Sequence, residues 1–277
     1  MAASSKSSSP FTLTITHIHT ATALLTIKNT TTLLTDPFFS PAGTSFPLSS
    51  APDHALTTTA DPALTLAQLP PIDAILLSHE DHPDNLDPLG RRLLDARAVL
   101  TTPAAAAALA PRPGVRALRP WEAASLPLRG EYYTVTATPC VHLPGGEATG
   151  FVVTHPDFGV DAEARPRGVF FSGDTVYTRE LAEGLRERFG VVVALLNVGA
   201  ARPPLPGGGL GEELITMDGA QAARLAREVG AEVVVPIHFE AWGHFTEGRA
   251  GLERVFAEEG VGERVVWLES GVPRRVV

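Results

Sequence analysis

The chain has 277 residues, enough to bury a large hydrophobic core in one sizeable domain or two small ones. Apolar residues make up 44% and charged residues 19%, a composition typical of globular and not of disordered proteins. The formal net charge of −9 disfavours a general nucleic-acid binder, because such proteins need positive charge to displace counterions from phosphates.

The N-terminal part of the chain predicts a tail, a β-hairpin and a loop. Residues 1–10 are rich in Ser and predict a disordered tail, since they have little to bury. Residues 11–37 are rich in Thr, Ile and Leu and are interrupted by Lys28 and Asn29, which predicts two strands joined as a hairpin. Residues 38–60 contain Pro, Ser and Gly throughout and predict a long loop.

Beyond residue 60 the chain alternates between short apolar runs, typical of buried strands, and amphipathic or Ala-rich stretches, typical of helices. The predicted strands are 73–77, 132–137, 168–171, 191–196, 232–237 and 265–268. The predicted helices are 87–94, 104–110, 178–189, 218–229 and 251–259. Together these elements predict a mixed α/β protein in which helices cover a sheet, with residues 11–277 forming a single domain.

Four of the apolar runs lead into a side chain of a type that can bind metals, His or Asp. The run at 75–78 leads into His79, and those before His142, Asp174 and His238 end in the same way. Ligand sites in α/β proteins gather at strand ends, so we expect these four side chains to lie close together. Imidazole and carboxylate ligands without thiolate suit Zn, and also Mn or Fe, as one or two ions.

The single cysteine, Cys140, makes an intramolecular disulfide impossible and excludes a zinc site built from cysteines. No apolar stretch approaches the roughly 20 residues needed to cross a bilayer, and the N-terminal segment lacks the apolar region of a secretory signal. We therefore expect a cytoplasmic protein that does not act at membranes and whose metal is held by His and carboxylate side chains.

Five motifs together resemble the metallo-β-lactamase superfamily, and are most similar to its branch containing ascorbate-6-phosphate lactonase. They are Leu34-Thr-Asp-Pro37, Ser78-His79 with Asp84-Asn-Leu-Asp87, Thr138-Pro-Cys-Val-His142, Ser172-Gly-Asp174 and Pro236-Ile-His238. The motifs follow the family's order and cover nearly the whole predicted domain. The resemblance implies an αββα sandwich, with mixed sheets flanked by helices and the metals bound between two sheet edges.

The segment around residues 79–85 departs from the family's His-x-His-x-Asp-His pattern and fits it in two registers. In the first register one residue is inserted after His79, so that His82 and Asp84 are ligands and Asn85 replaces the last His. The flanking residues favour this register, because they then lie at the distances usual for the family.

In the second register Leu77 replaces the first His, and the ligands are His79, Asp81 and His82. Ligand chemistry favours this reading, because Asn is a poor ligand beside His. Both registers lack one His ligand, so the number of metal ions stays open.

The resemblance implies roles for further residues. His142 would bind the first metal, Asp174 would bridge both, and His238 would bind the second. Asp36 would orient a ligand through hydrogen bonds, or alternatively would form a turn before a proline. His244 is a candidate to donate a proton to the leaving group or to bind substrate.

The implied function is that of a hydrolase in which a metal-bound hydroxide attacks a small carbonyl substrate, such as a lactone, cyclic amide or ester. Asp84, or Asp81 in the second register, would hold and orient the nucleophile. Two alternatives stay open: a phosphodiesterase of the same fold, and a non-catalytic metal- or ligand-binding protein with a decayed site. The sequence does not specify the oligomeric state.

Overall fold

In a computed structural model, which describes residues 11–48, 51–142, 146–205 and 209–277, two β-sheets pack face to face with helices on the outside. The strands in chain order are β1 (Leu13–His19), β2 (Thr22–Ile27), β3 (Thr31–Thr35), β4 (Ser45–Leu48), β5 (Ala51–Thr57), β6 (Ala74–Leu76), β7 (Ala98–Thr101), β8 (Val115–Ala117), β9 (Ala123–Leu128), β10 (Glu131–Pro139), β11 (Thr149–Thr154), β12 (Arg167–Phe171), β13 (Gly190–Asn197), β14 (Val233–Ile237) and β15 (Arg274–Arg275). The α-helices are α1 (Pro103–Ala108), α2 (Arg179–Arg188), α3 (Gly219–Glu228) and α4 (Arg249–Glu258). The tail predicted at residues 1–10 lies outside the described residues.

Both large sheets are mixed. The first has the order β15-β1-β2-β3-β6-β7-β8, with antiparallel pairing from β15 to β3 and parallel pairing from β3 to β8. The second has the order β14-β13-β12-β11-β10-β9, with parallel pairing only among β12, β13 and β14. Strands β4 and β5 form a separate hairpin.

Three layers of buried apolar side chains hold the sandwich together, as burial of apolar surface predicts. The central layer lies between the two sheets and includes Leu25, Leu33 and Phe151. Helices α2, α3 and α4 cover the outer face of the second sheet, where side chains such as Leu185 and Phe256 are buried. The αββα fold class predicted from the motifs is therefore confirmed.

Two predictions for the N-terminal part were wrong in detail. Residues 11–37 form three strands, because Thr20 adopts a φ of 38° and so allows a tight turn between β1 and β2. Threonine rarely adopts this left-handed conformation, so the sequence carries no turn signal there. Residues 38–60 contain the β4–β5 hairpin and are not a continuous loop.

Other differences concern short elements. The helix predicted at 87–94 is a 3₁₀ turn over Gly90–Leu93. In the strand predicted at 265–268 only Val265 forms an isolated bridge, to Val234. Strands β7, β8, β9, β11 and β15 were not predicted, although β9 alternates between exposed and buried residues as a half-buried strand should. Among the described residues no helix is long and apolar enough to cross a membrane.

Candidate metal centre

The predicted strand ends meet at one edge of the sandwich. His79 lies in the loop after β6, His142 follows β10, Asp174 follows β12 and His238 follows β14. His238 adopts a φ of 65°, a conformation that a residue with a side chain rarely takes and that must be held by its surroundings. Its backbone N–H donates a hydrogen bond to the carbonyl oxygen of Thr20, at 3.0 Å, in the turn between β1 and β2.

The first cluster, defined as His79, His82 and His142, brings three ring nitrogens together. Nδ1 of His82 lies 3.1 Å from Nε2 of His79 and 3.0 Å from Nε2 of His142. The other ring nitrogens of the two flanking residues face the protein: Nδ1 of His79 is 2.8 Å from the Ser78 hydroxyl, and Nδ1 of His142 is 2.6 Å from the Ile215 carbonyl. Such contacts fix the ring orientation and leave Nε2 directed into the cluster.

Burial keeps two of these imidazoles neutral. It lowers the pKa of His79 to about 3 and also lowers the pKa of His142. A neutral imidazole has the free lone pair that a metal ion needs, so these two side chains are ready to bind a cation at ordinary pH.

The second cluster, defined as Asp84, Asp174 and His238, combines two carboxylates with one imidazole. Nε2 of His238 lies 3.5 Å from Oδ2 of Asp84 and 3.4 Å from Oδ2 of Asp174. At these separations the ring nitrogen has no hydrogen-bond partner although it is buried. Two ligands about 2.1 Å from one ion at a tetrahedral angle are about 3.4 Å apart, so the spacing fits shared coordination.

The charges within the second cluster act on one another. Burial opposes protonation of His238, but the carboxylates of Asp174 and Asp84 outweigh it and raise the pKa of His238 to about 10. Burial would raise the pKa values of both carboxyl groups, and contact with His238 instead lowers them. Without an ion, the cluster therefore keeps a proton on His238, and this proton provides the positive charge that a metal ion would otherwise provide.

The clusters adjoin, since Nε2 of His79 lies 3.9 Å from Oδ2 of Asp174. The buried ring nitrogen of His238 without a partner and the mixed imidazole and carboxylate donors fit one or two divalent ions.

Asp36 is linked to the first cluster through Ser78. Its carboxylate accepts hydrogen bonds from the backbone N–H and the hydroxyl of Ser78, at 2.6 and 2.7 Å, and from Nδ2 of Asn85 at 3.1 Å. The Ser78 hydroxyl in turn contacts His79, so Asp36 helps to set the position of a cluster residue. Burial raises the pKa of Asp36 to about 7 despite these hydrogen bonds.

The remaining two predicted site residues lie apart from the three-residue clusters. Asp81 is exposed, and its Oδ2 accepts a hydrogen bond from the backbone N–H of Gly146 at 3.2 Å. His244 is 5% exposed, and its Nε2 is 3.7 Å from Oδ2 of Asp84. Burial lowers the pKa of His244 to about 4, so this ring is also neutral.

Sequence reasoning missed Asn197, whose Nδ2 donates a hydrogen bond of 2.6 Å to Oδ1 of Asp174. Asn197 is the last residue of β13, the same kind of position as the predicted ligands. An amide at a strand end is not a typical metal ligand, so the sequence pattern gives no signal for this residue.

A pocket of about 240 Å³ opens above both clusters. Its walls are mainly apolar, and none of the described residues that line it is Lys or Arg. The lining residues are Leu56, His82, Pro83, Asp84, His142, Asp174, Ala201, Pro203, Pro204, Leu205, Ile215, Thr216, His238 and His244. The site therefore suits a small ligand with an apolar body and an electrophilic or polar end directed at the clusters.

Comparison with known proteins identifies similar folds. The family profile described as "Beta-lactamase superfamily domain" matches residues 31–239. An isothiocyanate hydrolase from Delia radicum gut bacteria is 21% identical, with a TM-score of 0.73 over 94% of this chain and 98% of that chain. A possible metal-dependent hydrolase from Veillonella parvula is 23% identical, with a TM-score of 0.72 over the same shares. The metallo hydrolase Igni18 from Ignicoccus hospitalis is 18% identical, with a TM-score of 0.68 over 95% and 98%. Comparison with curated protein sequences gives no match.

Proposed function

This chain belongs to the beta-lactamase superfamily domain family, and on that basis we propose that it hydrolyses a small, uncharged carbonyl compound such as a lactone, cyclic amide or ester. The observation that carries the proposal is the position of the two ligand clusters at the base of a pocket with apolar walls. A divalent ion held there would polarise a carbonyl group and lower the pKa of a coordinated water. Zinc suits the donor set best, and Mn or Fe also fits.

The side chains around the clusters divide the remaining work. Leu56, Pro204 and Ile215 line the pocket and would hold the apolar part of the substrate away from water. The carboxylate of Asp84 is buried at the pocket base and kept ionised, so it can accept a hydrogen bond from an attacking water and orient it.

The charge of the pocket supports an uncharged substrate. Because none of its described lining residues is Lys or Arg, a phosphate group bound away from the clusters would find no Lys or Arg to pair with it. This disfavours a phosphorylated lactone, whose phosphate group would lie away from the reacting carbonyl and the ion. The net charge of −9 also disfavours a polynucleotide, and a cytoplasmic location stays a prediction.

One other electrophile is worth testing, namely the central carbon of an isothiocyanate. This chain aligns over 94% of its length with an isothiocyanate hydrolase, and the mainly apolar pocket walls suit such a substrate. Addition of water to R–N=C=S followed by cleavage of the C–N bond gives the amine and carbonyl sulfide, so the reaction balances without a further reactant.

The test is a panel of uncharged lactones, esters and cyclic amides, an aryl isothiocyanate and an aromatic phosphodiester, assayed with protein loaded with Zn or Mn. We expect hydrolysis of at least one uncharged compound, with kcat/KM well above that for the phosphodiester, and its loss in His142→Ala. Preference for the phosphodiester would contradict the proposed substrate class. Absence of hydrolysis across the panel, in protein that binds metal, would favour the non-catalytic alternative.

A further inference from the structure

Thr20, in the turn between β1 and β2, combines an unusual backbone conformation with a buried side chain. Its φ of 38° lies in the left-handed region, which glycine adopts without strain and a β-branched residue rarely adopts. The residue is almost fully buried. Residues held in such a conformation cluster at functional sites, so the contacts of this side chain point to its role.

The Thr20 hydroxyl is the middle of a hydrogen-bond chain whose direction is fixed. Nε1 of Trp242 can only donate, and it donates to the hydroxyl at 2.8 Å. Nε2 of His19 lies 3.1 Å from the Ala60 carbonyl oxygen, which can only accept, and burial lowers the pKa of His19 to about 4. The neutral ring therefore carries its proton on Nε2, and its Nδ1 accepts the proton of the Thr20 hydroxyl at 2.6 Å. A side chain that both accepts and donates at one atom is needed to complete this chain.

These bonds anchor the ligand loop, defined as residues 238–245, at two points. The backbone N–H of His238 donates to the Thr20 carbonyl oxygen at 3.0 Å, and Trp242 donates to the Thr20 hydroxyl. The carbonyl oxygen of Trp242 in turn accepts from the backbone N–H of Phe245 at 3.4 Å. The Phe245 ring packs against the rings of His238 and His244, with its centroid 4.5 Å from each. The position of Trp242 is thus passed on to the imidazole of the second cluster.

We infer that Thr20 is a positioning residue for the second cluster, whose hydroxyl holds Trp242 and, through the ligand loop, directs the imidazole of His238 at Asp84 and Asp174. The inference rests on the proposed function only in assuming that an ion binds this cluster. The competing explanation is that Thr20 serves the turn alone. A turn residue with positive φ needs no side chain, and glycine would then serve at least as well.

Three substitutions separate these explanations. Thr20→Val removes the hydroxyl and keeps the shape, Thr20→Gly removes the hydroxyl together with the backbone strain, and Thr20→Ser keeps the hydroxyl. Thr31→Val is the matched control, because the Thr31 hydroxyl is also buried and also accepts a hydrogen bond from an aromatic side chain, the Tyr133 hydroxyl at 3.2 Å.

Each variant is titrated with Zn and with Co(II) in the His142→Ala background, which removes a ligand of the first cluster and so reads the second cluster alone. Thr20→Val and Thr20→Gly should weaken ion binding by roughly 10-fold, the lower end of the range for loss of a supporting partner, and should change the Co(II) absorption bands. Thr20→Ser and Thr31→Val should stay within about twofold of the background. Thermal melting of the ion-free variants checks that they are folded.

A double substitution tests whether the hydroxyl acts through the indole. Trp242→Phe keeps an aromatic ring and removes the Nε1 donor, so adding Thr20→Val to it should cause no further loss of ion affinity, because both changes delete one hydrogen bond. In the ion-free protein the indole N–H resonance of Trp242, identified by its absence in Trp242→Phe, should move in Thr20→Val and stay in place in Thr31→Val.

Full ion affinity in Thr20→Gly would overturn the inference and favour a role in the turn alone. Losses that multiply in the double variant would overturn it too, since Thr20 would then act by a route other than Trp242. Wild type that binds no ion at either cluster would contradict the proposed function together with the inference, so the two failures are distinguishable.

Discussion

The two ligand clusters lie side by side but are built differently. In the first cluster all three donors are imidazoles, and the rings of His79 and His142 are each oriented by a contact to Ser78 or Ile215. In the second cluster two carboxylates and one imidazole converge. Where the family pattern has a further His, this chain has Asn85, whose amide nitrogen donates a hydrogen bond to Asp36. Neighbouring sites on one scaffold can therefore differ in how completely a local sequence motif defines them.

The difference extends to charge. Two imidazoles of the first cluster are neutral, so an ion can bind them without displacing a proton. The second cluster holds a proton on His238, because two buried carboxylates surround it. We expect the clusters to respond differently to substitution and to pH, and the predictions below test this contrast.

The largest effect should come from His142→Ala, which removes one of three ligands from the first cluster. Affinity at that cluster should fall by more than about 100-fold, and kcat/KM by at least as much, whereas the second cluster should bind as before. Zn titration followed by assay of the variant measures both. Cys140→Ser is the matched control, because burial raises the pKa of that thiol and its Sγ donates a hydrogen bond to the Ser172 carbonyl. Retention of two ions by His142→Ala would show that the first cluster is not a metal site.

A smaller effect, roughly 10- to 100-fold, should follow Asn197→Ala and should be confined to the second cluster. Asn197 donates to Oδ1 of Asp174 and so holds the carboxylate with Oδ2 directed at His238. Calorimetric titration of Asn197→Ala in the His142→Ala background reads the second cluster alone. An equal loss at the first cluster, measured in the single variant, would indicate general disruption and not loss of orientation.

Much of this centre could be predicted from the sequence, because the rule that ligands follow buried strands needs only short-range patterns. It located His79, His142, Asp174 and His238, which the fold brings to one edge. Two registers for 79–85 could not be separated, because a one-residue insertion leaves composition and periodicity unchanged. The structure places Asp84 in a cluster and leaves Asp81 exposed.

What could not be predicted depends on contacts between distant segments. His244 lies in an irregular stretch with no period to indicate which way its ring points, and its distance from Asp84 depends on how β14 sits beside the loop after β6. The turn at Thr20, which supports both His238 and Trp242, has a backbone conformation unusual for its residue type. Such features follow from tertiary packing and leave no local signal.

The two clusters should differ in how their affinity for an ion depends on pH, with a change of about tenfold per pH unit at the second cluster. Because the pKa of His238 is raised to about 10, the ion-free second cluster binds a proton below that pH and must release it when an ion binds. Its apparent affinity should therefore rise between about pH 7 and 9. The lowered pKa values of His79 and His142 mean that these rings are neutral over the same range and have no second proton to release.

Calorimetry in two buffers of different ionisation enthalpy counts the protons released. The second cluster, isolated in His142→Ala, should release about one proton from His238 per ion at pH 8. Affinity independent of pH, with no proton release, would show that the carboxylates of Asp84 and Asp174 do not hold His238 in its charged form.

The smallest effect should come from Asp81→Asn, which changes the ligand of the second register. Asp81 is exposed and its carboxylate contacts the backbone N–H of Gly146, so loss of its charge should alter ion affinity at either cluster by no more than about twofold. The same change in Asp84→Asn removes a buried carboxylate from the second cluster and should weaken that site by more than about 100-fold. The two variants are matched, since each replaces an Asp by its neutral isostere within one loop. A reversed order of effects would mean that the loop rearranges when an ion binds and that the second register is the one the metal selects.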